Sequence, residues 1–287
     1  MIESLPIGKI PPKLLNEIIQ MLPAGGKNVL QGPGIGLDCA VLQFDQKCLV
    51  FKSEPITFVA QEIGWYAVQI AANDIATTGA KPGWMLLTAL FPEGQASPES
   101  ILSISEQVAS AAQAIGVSVI GGHTEITHGI DRPILITTMI GEIECSKLIS
   151  PNGAKPGDHL ILTKSVPIEA TAIISREFPE KISTILLPEQ IENAKNYTFD
   201  PGISILQDAQ IACRSGKVTA MHDPTDDQPT APSGRTDHRN TPGSVSADWS
   251  HLGMAEPARM QGPWPSALPG ESPPQCEPRQ TVLTPCV

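Results

Sequence analysis

The chain has 287 residues, of which 41% are hydrophobic and 17% are charged, and its formal net charge is −11. This length is enough for one large domain or two ordinary ones, and the composition is typical of a soluble globular protein. The acidic balance, without a visible basic patch, argues against a nucleic-acid partner, because phosphates would be repelled. The sequence has no apolar leader and no apolar run long enough to span a membrane, so we expect a cytoplasmic protein without a membrane partner.

The six cysteines are scattered along the chain. They form no CxxC pair and no spacing typical of a zinc site. We therefore expect reduced thiols at all of them, as is usual for cytosolic proteins. The positions are 39, 48, 145, 213, 276 and 286.

The first part of the chain predicts a helix, a glycine-rich loop and a hairpin. Apolar residues at helical spacing predict a helix over 13–22. The loop over 32–38 contains three glycines and leads into a strand predicted over 39–44. After a short turn, a returning strand is predicted over 48–52.

The stretch over 64–82, GWYAVQIAANDIATTGAKP, predicts a central helix that ends near Gly79. Its apolar residues occupy more than one face, so we expect it to be buried on most sides. Asn73 and Asp74 interrupt this apolar surface, and a buried carboxylate is costly unless something compensates it. Either the two residues cap a break between two short helices, or Asp74 is a ligand; the stretch alone leaves both alternatives open.

Strands and helices then alternate as far as residue 225, with a turn-rich segment over 151–158 that predicts a domain boundary. The other predicted elements are a buried strand over 84–91, a helix that begins at Ser97 and Pro98, a short buried strand over 117–120, a strand over 133–143, a strand over 160–164, and helices over 167–177 and 202–213.

From Asp226 the composition changes. Proline recurs without regular spacing, and the apolar residues follow neither a strand nor a helix period. Such a segment cannot bury enough apolar surface to offset the entropy of ordering it, so we expect it to be disordered. The predicted organisation is therefore one domain over 1–150, a second over 151–225 and a tail over 226–287.

Acids or histidines stand beside glycine turns or at strand ends in five places. Taken singly, each has a plain explanation as a turn or strand-end residue. Taken together, carboxylates from separate loops suit Mg²⁺, and phosphoryl transfer needs little more than metal, positioning and electrostatics. The chain has no Walker A loop and no Rossmann glycine motif, so the sequence predicts a magnesium–nucleotide site built differently. The five places are Asp38, Glu54, Asp74, His123 with Glu125, and His222 with Asp223.

Four segments resemble motifs of the AIR synthase (PurM-like) superfamily. Residues 36–42 resemble its G-D-D-A-A-V-L segment, and residues 72–82 resemble N-D-[IL]-A-x-x-G-A-x-P, the most specific of the four. Residues 121–125 resemble G-G-[DH]-T, and residues 221–225 resemble M-x-D-P-T. Their order and spacing are similar to those of the hydrogenase maturation (HypE) branch and its relatives.

The resemblance implies an α+β protein of PurM-like two-domain architecture, with a mixed sheet and helices in the N-terminal domain. It implies a homodimer in which strands of two subunits form a barrel. It also implies that ATP and Mg²⁺ bind near that interface and that a small-molecule substrate is activated, as in HypE-like dehydratase or ligase chemistry. Two alternatives stay open: a phosphotransferase similar to thiamine-monophosphate kinase, and a non-catalytic remnant that only dimerises.

The resemblance also assigns site residues, while the catalytic residue and the substrate stay unassigned. Leu37 stands where the family has a second acid, and the match stops at Thr225 without the expected Gly-Gly. We therefore expect an incomplete second domain, followed by a tail that resembles out-of-frame translation. The implied metal ligands are Asp38, Glu54, Asp74 and Glu125, and the implied cofactor-binding residues are Asp38, Lys52, Asn73, Asp74, Gly121, Gly122, His123, Thr124 and Asp223.

Overall fold

The computed structural model describes residues 5–223 and 280–283, which form nine strands and seven α-helices. The strands are β1 (Val29–Gln31), β2 (Ala40–Phe44), β3 (Lys47–Ile56), β4 (Lys81–Pro92), β5 (Ser118–Thr127), β6 (Ile134–Glu144), β7 (His159–Leu162), β8 (Val218–His222) and β9 (Gln280–Leu283). The helices are α1 (Pro12–Met21), α2 (Ile63–Thr77), α3 (Pro98–Ile115), α4 (Ile168–Glu177), α5 (Pro179–Ile182), α6 (Pro188–Asn196) and α7 (Leu206–Arg214). Among the helices of these ranges, none has the length and apolarity that crossing a membrane requires.

The first six strands form one mixed sheet, in the order β1-β2-β3-β6-β4-β5. Its neighbouring strands are antiparallel except β4 and β5, which run parallel because helix α3 connects them across the sheet. This arrangement confirms the mixed sheet with helices that was expected for the N-terminal part. It also separates β3 from β5 by two strands, a separation that matters for the site.

Helix α2 is the centre of the core, since all of its residues except Trp65 are buried. Gly141 on β6 permits this close packing: a Cβ there would lie 2.4 Å from Cγ2 of Ile75. The burial on most sides predicted for this helix is confirmed. The helix also continues through Asn73 and Asp74 without a break, so the alternative in which they cap two short helices is wrong.

Strand β5 differs from the sequence prediction. The stretch over 117–120 was predicted as a short buried strand, but Val119 and Ile120 are 48% and 55% exposed. The reason is position: β5 is an edge strand of the sheet, and nothing in the described part of the chain pairs with its outer side. The strand also continues through Gly121–Glu125, which were expected to follow it.

The later part of the described chain contains a parallel sheet in the order β7-β9-β8 and the helices α4 to α7. Its central strand is β9, in a tail that was predicted to be disordered, so for residues 280–283 that prediction is wrong. Thr281 and Val282 are β-branched residues, which favour strands, and parallel neighbours on both sides satisfy their backbone groups. The remainder of the predicted tail, 226–279 and 284–287, lies outside the described residues.

The expectation of reduced thiols is contradicted at two positions. Cys48 near the start of β3 and Cys145 just after β6 form a disulfide. The sheet brings them together, because Cys48 pairs in register with Ile143 and the Cys145 amide donates to the carbonyl of Gln46. The spacing of cysteines along the chain carries no trace of this pairing, since it depends on two strands that are far apart in sequence.

Tyr66 of α2 joins the core to the later part of the chain through a hydrogen bond of 2.9 Å between its hydroxyl and that of Thr198. Burial raises the pKa of Tyr66 to about 12, although the Thr198 hydrogen bond acts in the opposite direction.

An alkaline loss of stability is expected from this tyrosine. The folded state keeps the Tyr66 proton up to about pH 12, whereas the unfolded state releases it near the ordinary value of 10. The free energy of unfolding should therefore fall by about 2 to 3 kcal/mol as pH rises from 10 to 12. Urea unfolding at pH 8 and pH 11 measures the first part of this loss, about 1.4 kcal/mol, which should be smaller in Tyr66→Phe. The chain has two tyrosines, so the Tyr197→Phe variant reports the tyrosinate absorbance of Tyr66 alone, and an ordinary midpoint there would contradict the prediction.

Candidate functional site

A buried lysine lies between two carboxylates where strand β3 faces helix α2. Lys52 Nζ is 3.0 Å from Glu54 Oε2 and 3.1 Å from Asp74 Oδ2. Lys52 is only 7% exposed and Asp74 only 1%. Ionic groups at such depth are retained when they compensate one another, and here one ammonium group partly compensates two carboxylates between the sheet and α2.

The alternation of β3 explains why Lys52 points inward. Cys48 and Val50 are buried, whereas Ser53 and Pro55 are exposed, so Lys52 and Glu54 lie on the face that meets α2. The lysine therefore takes a position that an apolar residue would ordinarily fill. The structure thus brings Lys52, Glu54 and Asp74 together at one place in the fold.

A second group lies next to the first, where the glycine-rich loop meets the end of β8. His222 Nδ1 is 3.9 Å from Asp38 Oδ2 and 3.8 Å from Asp223 Oδ1. One potential ligand atom from each of the three residues lies within 4.8 Å of the other two. His222 stood out in the sequence but received no role, because a histidine before Asp-Pro is equally typical of a turn.

Asp74 connects the two groups electrostatically. Burial raises the pKa of its carboxyl well above the ordinary value, and the negative charges of Asp223, Asp38 and Glu54 add to this effect, while Lys52 opposes it. Asp74 Oδ1 accepts no hydrogen bond from the described residues. A site with this excess of carboxylates and an unsatisfied buried oxygen fits a bound cation chemically.

Cys39 is a buried neighbour of the acids that the sequence analysis did not assign to the site. Its thiol donates a weak hydrogen bond of 3.4 Å to the backbone carbonyl of Asp74. Burial and the adjacent carboxylate of Asp74 raise the pKa of Cys39 well above its usual range. A thiol held protonated in this way is a poor nucleophile, so Cys39 packs the site rather than reacting in it.

Asn73 was assigned to cofactor binding, but its side chain serves the fold. Its Nδ2 donates to the carbonyl of Ile203 and its Oδ1 accepts from the amide of Ile205, each at 2.9 Å. Asn73 is fully buried, and these bonds hold the segment before α7 against α2. The structure therefore gives Asn73 a structural role in positioning the later part of the chain.

The residues from Gly121 to Glu125 lie apart from both groups within one chain. They are exposed on β5, which is three strand spacings from β3, or roughly 14 Å. His123 Nε2 lies 2.9 Å from Glu125 Oε2, so these two side chains pair with each other. Within a single chain, Glu125 is not placed to share a metal ion with Asp38 or Asp74.

Gly122 has a structural reason to be glycine. A Cβ at this position would lie 1.8 Å from the carbonyl oxygen of Leu87 on β4, and the backbone φ is +151°. The absence of a side chain is therefore required for pairing between β4 and β5. The resemblance implied a cofactor-binding role for Gly122, but the space that a side chain would fill there is taken by the neighbouring strand.

Comparisons with known proteins agree with this architecture. Residues 36–143 match the family described as AIR synthase related protein, N-terminal domain. A putative hydrogenase expression/formation protein of Methanocaldococcus jannaschii is 28% identical over 235 residues, which cover 76% of this chain and 63% of that protein. The carbamoyl dehydratase HypE of Cupriavidus necator is 28% identical over 175 residues, which cover 59% of this chain and 49% of that protein.

A third relative carries a different name: the selenide, water dikinase of Carboxydothermus hydrogenoformans is 31% identical over 167 residues, 56% of this chain and 47% of that protein. The chain thus spans between 47% and 63% of the length of these three relatives. Among solved structures, the thiamine monophosphate kinase of Aquifex aeolicus has a similar fold, with a TM-score of 0.52 at 14% identity, covering 72% of this chain and 65% of that one. The matched family domain spans strands β2 to β6 and helix α2 and includes Asp38, Glu54 and Asp74, so residues 36–143 of this chain are similar to the N-terminal domain of AIR synthase related proteins.

Proposed function

We propose that this protein binds ATP together with a divalent cation and uses it to activate a small substrate, in the manner of a HypE-like dehydratase. The observation that carries the proposal is the convergence of Glu54 and Asp74 on Lys52, from two separate elements, with the charges of Asp38 and Asp223 near enough to act on Asp74. Three acids of this cluster, with Lys52, lie within the matched family domain, and relatives of that family include enzymes that use ATP.

In this proposal, the positively and negatively charged residues of the site have different roles. Lys52 holds Glu54 and Asp74 in place and keeps part of the buried negative charge neutral. Asp38, which is half-buried, and Asp223, which is buried, stand beside them, and their oxygens would accept a cation. A divalent cation bound there would offset the phosphate charge during transfer. The protein would thus contribute positioning and electrostatics.

A homodimer is part of this proposal. The outer side of β5 is unpaired among the described residues, and Val119, Ile120 and Ile126 are exposed on it, with Trp84 and Leu86 exposed on the adjacent strand. An exposed apolar edge strand is a surface that another chain covers readily. A second copy placed there is the arrangement that the family resemblance implies.

A phosphotransferase is the second candidate, because the selenide, water dikinase is the relative with the highest identity of the three described above. Both candidates use ATP, but they differ in where the phosphate goes. A dehydratase releases the phosphate into solution. A phosphotransferase instead leaves a phosphate covalently bound to the acceptor.

Two measurements test the proposal on the full chain. Calorimetric titration with ATP is expected to show binding that depends on Mg²⁺. AMP, ADP and free phosphate are then quantified with and without selenide as an acceptor: ADP with equal free phosphate and no phosphorylated acceptor supports the dehydratase class, and a selenide-dependent phosphorylated product, with ADP or AMP, supports the phosphotransferase class. A folded chain that binds no ATP in the presence of Mg²⁺ would overturn both.

A further inference from the structure

The last strand of the chain, β9, lies between two strands that precede it in sequence. It runs parallel to β7 on one side and to β8 on the other, with four paired positions on each side. In the described part of the chain, β7 and β8 thus pair with β9 and not with each other. Neighbouring strands lie about 4.8 Å apart, so without β9 a gap of about 10 Å would separate β7 from β8, too wide for backbone hydrogen bonds.

The sequence limits β9 to a short strand. Proline stands at 278 and at 285, on either side of the strand, and proline has no backbone N–H to donate to a neighbouring strand. The two positions at its centre, Thr281 and Val282, are β-branched residues that favour strands. The segment is therefore a strand only as long as the slot between β7 and β8 requires, and its backbone groups are satisfied by these two neighbours.

The carboxyl end of β8 carries residues of the candidate site. His222 is the last residue of β8, pairs in register with Leu283 of β9, and has its Nδ1 3.9 Å from Asp38 Oδ2. Asp223 follows directly, is 1% exposed, and has its Oδ1 3.8 Å from His222 Nδ1. The pairing of β8 with β9 therefore helps to determine where these two side chains stand relative to the glycine-rich loop.

Other backbone contacts of β8 hold its start. Thr219 forms a bulge in the pairing with β9, and its hydroxyl donates to Asp158 Oδ2 at 2.7 Å. Gly153 packs closely at the same place, since a Cβ there would lie 2.0 Å from the carbonyl oxygen of Thr219. Toward the carboxyl end, Met221 is buried in the core, but among the described strands the backbone of Met221 and His222 pairs with β9 alone. Loss of β9 would thus free the end that carries the site residues.

We propose that the C-terminal strand Gln280–Leu283 is a positioning element of the candidate site, which holds His222 and Asp223 beside Asp38 through its pairing with β8. A displacement of about 1 Å in a positioning element can change activity by about 100-fold, so a strand remote in sequence can control the site. For its effect on ligand binding, the proposal rests on the ATP binding proposed above. The positioning of β8 by β9 does not depend on that function.

The Val282→Pro variant of the full chain tests the proposal, because proline removes a backbone donor at the centre of β9. Without nucleotide, amide hydrogen exchange in β7 and β8 is expected to become faster by about tenfold or more, while β3 and β6 keep their rates. The side-chain NMR signals of His222, assigned with His222→Gln, should shift because the imidazole leaves its place beside Asp38. In the presence of Mg²⁺, the affinity for ATP should fall by about tenfold or more. Val282→Gly, which weakens a strand but keeps the donor, serves if the proline variant does not fold.

Val245→Pro is the matched control, since it makes the same substitution at a tail position outside the described residues. Its exchange rates, His222 signals and ATP affinity should equal those of the wild type. Unchanged exchange in β8 of the folded Val282 variants would overturn the proposal, as would faster exchange with unchanged His222 signals. If the wild type binds no ATP, the function proposed above fails, whereas the exchange rates and the His222 signals still decide whether β9 positions the end of β8.

Discussion

Replacing Asp74 by asparagine is expected to weaken Mg²⁺-dependent ATP binding by about tenfold or more, while the chain stays folded. Asparagine has nearly the same shape but removes the negative charge that Lys52 contacts at 3.1 Å. The ammonium group of Lys52 then keeps its ion pair with Glu54 but loses the negative charge of Asp74, so its positive charge opposes a metal ion bound next to it more strongly. Calorimetric titration of ATP with Mg²⁺ into the full-length variant measures the loss.

Asp131→Asn is the control for this substitution. Asp131 is an exposed acid that pairs with its neighbour Arg132 at 3.0 Å, outside the cluster. It should bind ATP like the wild type. Circular dichroism establishes that both variants are folded. Unchanged ATP affinity in a folded Asp74→Asn protein would show that the Asp74 charge does not contribute to ATP binding.

Breaking the Cys48–Cys145 disulfide is expected to lower the free energy of unfolding by about 3 to 5 kcal/mol. The two residues are 97 positions apart, so the bond closes a long loop and restricts the unfolded chain strongly. Urea unfolding of the wild type with and without a reducing agent measures the difference, and Cys145→Ser should reproduce the reduced value.

Cys213→Ser is the comparison for the disulfide, since Cys213 is a free, half-buried thiol. Its stability should respond to the reducing agent as the wild type does. Labelling of free thiols in the folded chain gives a direct reading as well. If both Cys48 and Cys145 are labelled before reduction, the prediction of reduced thiols is correct. The free energy of unfolding would then be the same with and without the reducing agent.

Local patterns predicted most of the elements in the N-terminal part. The helix that became α2 was recognisable because good helix formers run without proline up to Gly79, and its mixed apolar faces implied the burial that the structure has. Ser97 and Pro98 predicted the start of α3. In the structure, the Ser97 side chain accepts a hydrogen bond of 3.2 Å from the Ser100 amide. The family resemblance agrees with the family model that matches residues 36–143.

Other features of the structure could not be predicted from local sequence patterns. Val119 and Ile120 are apolar in sequence, but their exposure depends on β5 being the edge strand, which is a property of the whole sheet. The strand Gln280–Leu283 is too short to show a period, and its partners begin more than fifty residues earlier in the sequence. Two short helices, α5 and α6, were not anticipated in the stretch between α4 and α7.

By itself, the sequence determined the family likeness of residues 36–143, the central helix and the set of acids from which a site could be built, because these depend on local composition and motif order. Only the tertiary structure decided how the acids group. It placed Lys52 between Glu54 and Asp74, brought His222 to Asp38 across 184 positions, and left Glu125 three strands away. The physical reason is that charges interact over a few ångströms in space, and strand order, which is set by non-local pairing and burial, determines which of them meet.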